Sequence, residues 1–269
     1  MKKKTLLVMV LALLGTLVAN AQQKTFEGEF HFVNTVTVDK TLQKMYKWAR
    51  SGEYKMDFVR RGEDEFCTET YGGTYCLLLR TKNEGYVWSP LLKKGYKFTW
   101  TDYKAYCDKI HKDHTVQSRA TGDTKDINGY PCRRYVHTES GQTDLMGAKI
   151  VSTEEKEYWV CEEYPSEDMG STEIPGMPFY YEENSRIKLP LLGEASQHQL
   201  LEMVSVKERK VEDSELAVPD DITFTFTKDA YGAQQKLIKE IYKYKKKNGI
   251  EDDGVKEEGV SREKGEWDF

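Results

Sequence analysis

Apolar residues alternate with polar ones along much of the chain, and this period of two constrains the fold more than any other sequence feature. Between Phe26 and Val38 the even-numbered positions are mostly apolar, whereas several odd-numbered positions carry charged or hydroxyl groups. Because successive side chains of a β-strand point to opposite faces, the pattern predicts a strand with one face on a core and the other in water. A protein built mainly from antiparallel strands is therefore expected.

The same alternation recurs in later segments, and turn residues such as Asn128-Gly129 separate many of them. The further predicted strands are Tyr54–Phe58, Thr74–Arg80, Gly85–Ser89, Tyr96–Trp100, Thr115–Ala120, Tyr130–Thr138, Glu157–Tyr164, Gln199–Glu208 and Ile222–Phe226. A curved sheet of such strands needs a helix, loops or a ligand on its concave side. We expect a mainly β fold: a curved antiparallel sheet (incomplete β-barrel) around a short helix, with a C-terminal helix.

Three segments have helical patterns instead. Lys40–Ala49 and Asp102–Lys112 are short candidates, the second with Asp102 as its N-cap. Ala230–Lys247 carries an apolar stripe, and Asn248-Gly249 is a stop signal for this helix. The last residues are almost all charged or glycine, a composition that favours disorder. The predicted units are a half-barrel domain over residues 22–228, a C-terminal helix over 229–249 and a disordered charged tail over 250–269.

Residues 1–21 have the pattern of a secretory signal peptide. Lys2 to Lys4 precede an uncharged apolar run from Leu6 to Val18, and Ala19-Asn20-Ala21 is a small-residue cleavage site. The run is too short for a membrane span, although a single membrane anchor is the alternative. We therefore expect an exported protein in the periplasm, associated with the outer membrane, or secreted.

The chain has a formal net charge of −5, and its folded part contains no long basic stretch. The acidic balance favours solubility, and the missing basic stretch argues against nucleic acid as a partner. The sequence contains neither a Gly-x-Ser-x-Gly elbow nor a glycine-rich phosphate loop. We expect a protein without cofactor or enzymatic activity, whose partner is a lipid or lipoprotein and whose membrane contact is only peripheral.

The chain contains five cysteines, Cys67, Cys76, Cys107, Cys132 and Cys161. Two neighbouring predicted strands, folded as a hairpin, bring Cys132 near Cys161. A turn at Tyr71-Gly72 places Cys67 opposite Cys76, whereas a turn one residue later separates them. Since an exported protein meets an oxidising environment, disulfides between Cys132 and Cys161 and between Cys67 and Cys76 are expected. Separately buried thiols are the alternative.

Cys107, His111 and His114 are spaced i, i+4 and i+7, which would put them on one side of a helix. Thiolate and imidazole groups bind zinc or copper, and three ligands plus water is the arrangement of catalytic zinc. A metal-binding protein or hydrolase that uses these residues is therefore an alternative function. The segment is rich in lysine and lacks the glutamate of zincins, so we assign no metal ligands.

The remaining polar groups are expected to face solvent. His31, His137 and His198 lie on predicted strands among polar neighbours, a setting typical of exposed histidines. The carboxylates of the segment STEEKEYWVCEEY are interpreted as a solvated face rather than as an acid–base pair.

The segments INGYPCRRYVHTESG and EYWVCEEY resemble a family of secreted bacterial proteins that is distantly similar to the lipoprotein carriers LolA and LolB. The strand Asn/Ala-Gly-Tyr-x-Cys of this family corresponds to residues 128–132, its tryptophan strand to Tyr158-Trp159-Val160, and its late Val-Pro to Val218-Pro219. The resemblance implies an incomplete β-barrel wrapped around a helix, with an apolar concave surface that holds acyl chains in the carriers. It supplies no catalytic residues.

The leading hypothesis is a non-enzymatic exported envelope protein that binds a hydrophobic ligand, a lipid or a lipidated partner, in a concave β-sheet. The segment EIPGMPFYYEENSRIKLPLLGE is expected to be an apolar loop that plugs the barrel or covers a ligand cavity. A structural cell-envelope protein without a ligand is a further alternative. The expected ligand-binding residues are Leu79, Trp88, Phe98, Trp100, Trp159, Met177, Phe179 and Leu191.

Overall fold

The computed structural model of the chain describes residues 25–45, 51–69, 73–111, 114–145, 148–164, 174–189 and 193–250. These residues form one twelve-stranded sheet, three α-helices and two short 3-10 turns. The predicted signal peptide and nearly all of the predicted charged tail lie outside the described residues. None of the described helices combines the length and apolar character needed to cross a bilayer.

The strands are β1 (Glu27–Val38), β2 (Gly52–Arg61), β3 (Asp64–Glu69), β4 (Thr74–Leu79), β5 (Glu84–Ser89), β6 (Lys94–Phe98), β7 (Thr115–Ile127), β8 (Tyr130–Leu145), β9 (Ala148–Cys161), β10 (Met177–Leu189), β11 (Gly193–Glu208) and β12 (Thr223–Phe226). The helices are α1 (Lys40–Met45), α2 (Trp100–His111) and α3 (Ala230–Asn248). The 3-10 turns are Arg80–Lys82 and Asp213–Leu216.

Neighbouring strands in the sheet are mostly neighbours in the chain. The order is β12-β6-β5-β4-β3-β2-β1-β11-β10-β9-β8-β7, so β12 and β7 form the two edges. The pair β1–β11 joins the first run of strands to the second. All ladders are antiparallel except β12–β6, which is parallel. The predicted mainly β fold, a curved open sheet with a C-terminal helix, is thus confirmed, with one parallel pair that alternation does not indicate.

The sheet curls until the turn between β7 and β8 reaches β11, three strands away. Asn128 and Gly129 both have positive φ, as a two-residue hairpin turn of type I′ requires. The amide of Asn128 donates hydrogen bonds to the carbonyl oxygens of Met203 at 2.7 Å and Val204 at 3.3 Å. In a flat sheet, strands three places apart would be separated by roughly 14 Å. This contact therefore requires strong curvature, and the inner side of the curl is called here the concave face.

Bulges accompany this curvature. The pairing register shifts between His31 and Phe32 in β1, between Pro178 and Tyr180 in β10, and across residues 121–123 in β7. A bulge inserts an unpaired residue and increases the local twist of its strand. The edge strand β7 is exposed along almost its whole length.

Direct pairing across the ladders shows which side chains share the concave face. Phe30 pairs with Phe58, Phe58 with Cys67, Cys67 with Cys76, and Cys76 with Val87. Paired residues point to the same side of a sheet, so the concave face continues without interruption from β1 to β5.

Different segments cover the two faces of the strands β3–β6. On the concave face, Leu237 and Ile241 of α3 pack against Val87 and Phe98. On the opposite, convex face, the residues between β11 and β12 cover a second cluster. This convex cluster consists of Leu77, Leu79, Tyr86, Trp88, Val211, Leu216 and Ile222.

The segment predicted as a proline-rich loop is mostly the thirteen-residue strand β10. Proline removes a hydrogen-bond donor and is tolerated in a strand at a bulge, which is where Pro178 lies. The strand β3 is also absent from the predicted set. Trp100, assigned to the end of a predicted strand, is instead the first residue of α2.

The helix boundaries follow local capping chemistry. The Asp229 carboxylate accepts a hydrogen bond from the Gly232 backbone N–H at 2.8 Å at the start of α3. Gly249 adopts a left-handed conformation at its end, so the predicted stop is confirmed. The predicted N-cap of α2 is wrong: the Thr99 hydroxyl accepts from the Asp102 N–H at 3.1 Å, because the helix begins two residues earlier than expected.

Candidate functional site

The concave face is apolar over most of its area. Around the curl of β7–β11, Tyr130 and Tyr164 pack on Phe179, with ring centroids 5.2 Å and 5.7 Å apart. Phe26 and Phe30 stack on the neighbouring strand with centroids 4.2 Å apart. These rings are offset or edge-on, as aromatic side chains prefer in protein cores. The resulting layer is densely filled at this end of the sheet.

The helix α3 covers the other end of the concave face. Its buried side contains Ala233, Leu237 and Ile241 and lies on β4, β5 and β6. The ring of Tyr231 stacks on Tyr106 of α2 with centroids 5.7 Å apart. Helix α3 is therefore attached to the sheet mainly by one apolar stripe.

The structure divides the eight expected ligand-binding residues among several surfaces. Phe98, Met177 and Phe179 are buried at the concave face. Leu79 and Trp88 are buried in the convex cluster instead, because their positions have the opposite parity to Leu78 and Val87. These two residues therefore belong to a different cluster from Phe98, Met177 and Phe179, and the assignment of the eight residues to a ligand site stays a prediction.

The remaining three expected residues have three different settings. Trp100 is on α2, where the Arg80 guanidinium lies 4.9 Å from its ring centroid. Trp159 is half-buried against the cluster that contains Met177 and Phe179, and the Lys125 ammonium lies 4.2 Å from its ring centroid. Leu191 lies outside the described residues.

A set of charged and imidazole side chains is buried at one end of the concave face. His114 Nδ1 lies 2.5 Å from Glu139 Oε1, and His137 Nε2 lies 3.7 Å from Glu139 Oε2. The side chains of His137 and Glu139 are 0% and 1% exposed. The expectation that His137 is an exposed histidine is therefore wrong: it shares its face with Tyr135 and Tyr158, and both strands bury that face.

A lysine and two further carboxylates extend this set across the next two strands. His137 pairs with Lys156 on β9, and Lys156 pairs with Glu183 on β10. Lys156 Nζ lies 2.6 Å from Glu154 and 3.9 Å from Glu183. We call the whole set the buried polar cluster: His114, His137, Glu139, Glu154, Lys156 and Glu183.

Within this cluster, burial and the neighbouring charges shift the pKa values of Glu183 and Lys156 in opposite directions. Burial raises the pKa of Glu183, and the Lys156 ammonium offsets only part of the effect. Burial disfavours the charged form of Lys156, but the carboxylates of Glu183 and Glu154 outweigh it and raise the lysine pKa. The arrangement can hold a charged or hydrogen-bonding group.

Gly141 makes room for this cluster. A Cβ at Gly141 would lie 1.9 Å from the His114 ring, so only glycine leaves space for the imidazole. The dipeptide Ser140-Gly141 is a turn signal in the sequence, but both residues lie inside β8. Gly141 is therefore required because the His114 side chain approaches the backbone closely there, and not because the chain changes direction.

Sequence reasoning missed the buried polar cluster although its signal is present. His137 and Glu139 have the same parity as Tyr135 on β8, and Glu154 and Lys156 the same parity as Tyr158 on β9. Period two alone places them on the inner face. The prediction instead follows the polar character of these residues and assigns the carboxylates of this segment to a solvated face.

The alternative metal ligands do not share one helix face. α2 ends at His111, Cys107 is half-buried on it, and His114 lies beyond its end and contacts Glu139. Across the described part of the chain, no group of three or more His, Cys, Asp or Glu side chains is arranged to hold a metal ion.

The cysteines are placed as the hairpin argument requires. Cys67 pairs directly with Cys76 across β3 and β4. Cys132 and Cys161 are buried at adjoining positions of β8 and β9, and the hydrogen bond between them together with burial raises the pKa of the Cys132 thiol. All five cysteines are thiols in the structure.

An open polar cleft lies at the ends of β1, β10 and β11. Its volume is about 230 Å³, and Asp39, Arg186 and His198 are among its lining residues. Asp39 is already occupied, since its carboxylate accepts from the Ser196 backbone N–H at 2.6 Å and from the Leu42 N–H at 2.7 Å. Part of the cleft wall is therefore the carboxylate that caps the start of α1, and we assign no ligand to the cleft.

Comparison with known proteins adds no assignment to this geometry. No model of a known protein family matches the chain, and no curated protein matches it either.

Proposed function

We propose that this protein is a non-enzymatic exported envelope protein that binds a hydrophobic ligand, a lipid or a lipidated partner, at its concave face. The observation that carries the proposal is that, in the described part of the chain, helix α3 covers most of the apolar surface of β4–β6, with Tyr103 of α2 packed beside it against Phe98. Lifting α3 would uncover Val87 and Phe98 on the sheet and Leu237 and Ile241 on the helix. An acyl chain between these two surfaces would replace one apolar contact with another.

The energy of such binding would come from burial of methylene groups. Each buried CH₂ contributes about 0.8 kcal/mol, so ten of them contribute about 8 kcal/mol before the costs of ordering the chain and moving α3. This affinity requires no specific polar chemistry. The resemblance to LolA and LolB supports the same function, because those carriers hold acyl chains against a curved sheet.

The buried polar cluster lies on β8–β10, and the strands β3, β2, β1 and β11 separate it from the apolar surface of β4–β6. We therefore assign the acyl chain to the apolar surface under α3 and give the buried polar cluster no part in holding it.

Two adjacent leucines on opposite faces of β4 allow a matched test. Leu78 faces α3, and Leu79 is buried in the convex cluster. We expect Leu78→Ala to weaken uptake of a fluorescent fatty acid by roughly ten- to fifty-fold, because three buried carbons contribute about 0.8 kcal/mol each. We expect Leu79→Ala to lower the melting temperature without this loss. Fluorescence titration and thermal unfolding of both variants measure the two effects.

Equal loss of binding in both variants would contradict a concave ligand site. Absence of uptake by the unmodified protein, together with no lipid in its mass spectrum, would leave the structural envelope protein as the explanation. Stoichiometric zinc or copper in elemental analysis would instead support the metal alternative.

Export of the protein is part of the proposal, and the cysteines test it. In an oxidising compartment we expect Cys67–Cys76 and Cys132–Cys161 to form disulfides, which leaves Cys107 as the single thiol. Titration of the denatured protein from the cell envelope should find one reactive thiol, rising to five after reduction. Five thiols before reduction would contradict either export or both pairings.

A further inference from the structure

The outward side of α3 is a continuous row of lysines. Lys236, Lys239, Lys243, Lys246 and Lys247 are all exposed. The first of them is at the edge of the row, since its ammonium lies 5.8 Å from the centroid of the Tyr96 ring on β6. At about 100° per residue, these positions fall within one sector of the helix, opposite the buried sector of Leu237 and Ile241. We call these five residues the lysine stripe.

The charge of the stripe contrasts with the rest of the protein. The chain as a whole has a net charge of −5, whereas the stripe carries five positive groups and no carboxylate. Glu240, the one acidic residue of α3, is turned toward the sheet and forms an ion pair with Lys94. The helix therefore presents a basic surface on an acidic molecule.

Helix stability explains only part of this pattern. Lysines in the last turn interact favourably with the helix dipole, which accounts for Lys246 and Lys247. The effect falls off within one turn, so it does not account for Lys239 or Lys243. Within the described residues, Lys239 and Lys243 make no ion pair that would explain them as structural.

One exposed ring and one exposed aliphatic side chain lie near the stripe. Tyr244 is 41% exposed on α3, and Ile250 directly beyond the helix is 41% exposed. Tyrosine side chains suit the boundary between headgroups and acyl chains, where one end is apolar and the other is wet. A basic helix with aromatic and aliphatic flanks is the pattern of a surface that binds anionic membranes.

We propose that the lysine stripe of α3 docks this protein on the anionic headgroups of a membrane surface. The inference rests on the proposed function, because it names the membrane as the place where the concave face receives or delivers its lipid. The lipid site and the lysine stripe are adjacent, because the helix that covers the apolar surface of β4–β6 carries the stripe on its other side.

One segment of the chain has the charge to compete with a membrane for the stripe. Residues 251–269, which follow α3 directly, include eight acidic and three basic residues. They lie outside the described residues. Charge complementarity alone would let this segment occupy the stripe, so the experiment must distinguish it from the membrane.

The test uses the full chain in co-sedimentation with vesicles of phosphatidylcholine alone or of phosphatidylcholine with phosphatidylglycerol. We expect binding only to the anionic vesicles, with loss of binding at high salt. The combined variant Lys239→Glu, Lys243→Glu, Lys246→Glu should bind at least tenfold more weakly. The matched control reverses three exposed lysines elsewhere, Lys40→Glu, Lys82→Glu and Lys188→Glu, and should retain most of the binding.

Three outcomes would overturn the inference: no binding to anionic vesicles, equal loss in the control variant, or binding that appears only when the acids of the tail are neutralised by Glu251→Gln, Asp252→Asn and Asp253→Asn. The last outcome would identify the tail as the occupant.

Uptake of a fluorescent fatty acid from solution separates this inference from the proposed function. The stripe variant should retain that uptake, whereas failure of the proposed function abolishes uptake and leaves vesicle binding intact.

Discussion

Glu183 shows at the residue scale how the interior of the curl tolerates charge. It lies beside Lys156, whose ammonium it shares with Glu154, and burial raises its pKa. An ionised carboxylate in this position loses hydration that one ammonium, shared with Glu154, replaces only in part. Ionisation of Glu183 therefore destabilises the folded state, and it does so only where the pH is high enough to ionise it.

We expect Glu183→Gln to stabilise the protein at neutral pH and to have no effect in acid. A carboxyl whose pKa is raised by folding lowers stability above its folded pKa, and this penalty disappears below its unfolded value near 4.5. The melting temperature of the variant should be higher than that of the wild type at pH 7 and should converge with it toward pH 4. Thermal unfolding across this range measures it, with exposed Glu155→Gln as the control. A pH-independent difference would contradict this origin.

Position along a strand predicts the interior of this protein better than residue type does. The alternation in β1 identifies Phe30 and Phe32 as core residues from the sequence alone. The same rule places His137 and Lys156 inside, against the usual preference of these residue types. Which charges meet across β8, β9 and β10 depends on register, and register is set by long-range pairing that no local pattern indicates.

At the scale of a single element, the stability of helix α3 determines how much of the apolar concave face is exposed. It begins at Asp229, ends at Gly249 and contributes Leu237 and Ile241 to the concave side. Its start and end are readable in the sequence, because capping residues act locally. Its placement on β4–β6 is not readable there, since an apolar stripe does not specify its partner.

We expect Asp229→Ala to loosen α3 and uncover part of the concave face. Loss of an N-cap costs about 1 kcal/mol, which corresponds to a melting temperature about 2–4 °C lower for a domain of this size. Binding of the dye ANS should increase because Phe98 and Val87 become accessible. Asp229→Asn retains the capping oxygen and should behave like the wild type, as should exposed Asp220→Ala. Unchanged dye binding in Asp229→Ala would mean that the helix does not detach locally.

At the scale of the whole molecule, the described residues form one sheet whose two halves are covered differently. Strands β7–β11 curl until the Asn128 side chain at one end hydrogen-bonds to β11, whereas α3 covers one face of β4–β6 and the segment before β12 covers the other. Antiparallel strands and most turns are predictable from alternation. The positions at which the sheet curls are not, because they depend on bulges in β1, β7 and β10, and a bulge such as that at Pro178 resembles a loop in the sequence.

The interrupted edge strand β7 limits how this protein can associate through its backbone. An uncovered strand of thirteen residues would otherwise offer a long template for pairing with another chain. The bulge leaves only Thr115–Ala120 and Thr124–Ile127 in regular register. A strand added by a neighbouring molecule would therefore lose alignment after about 20 Å, so fibre-like growth from this edge is blocked by geometry before side chains are considered.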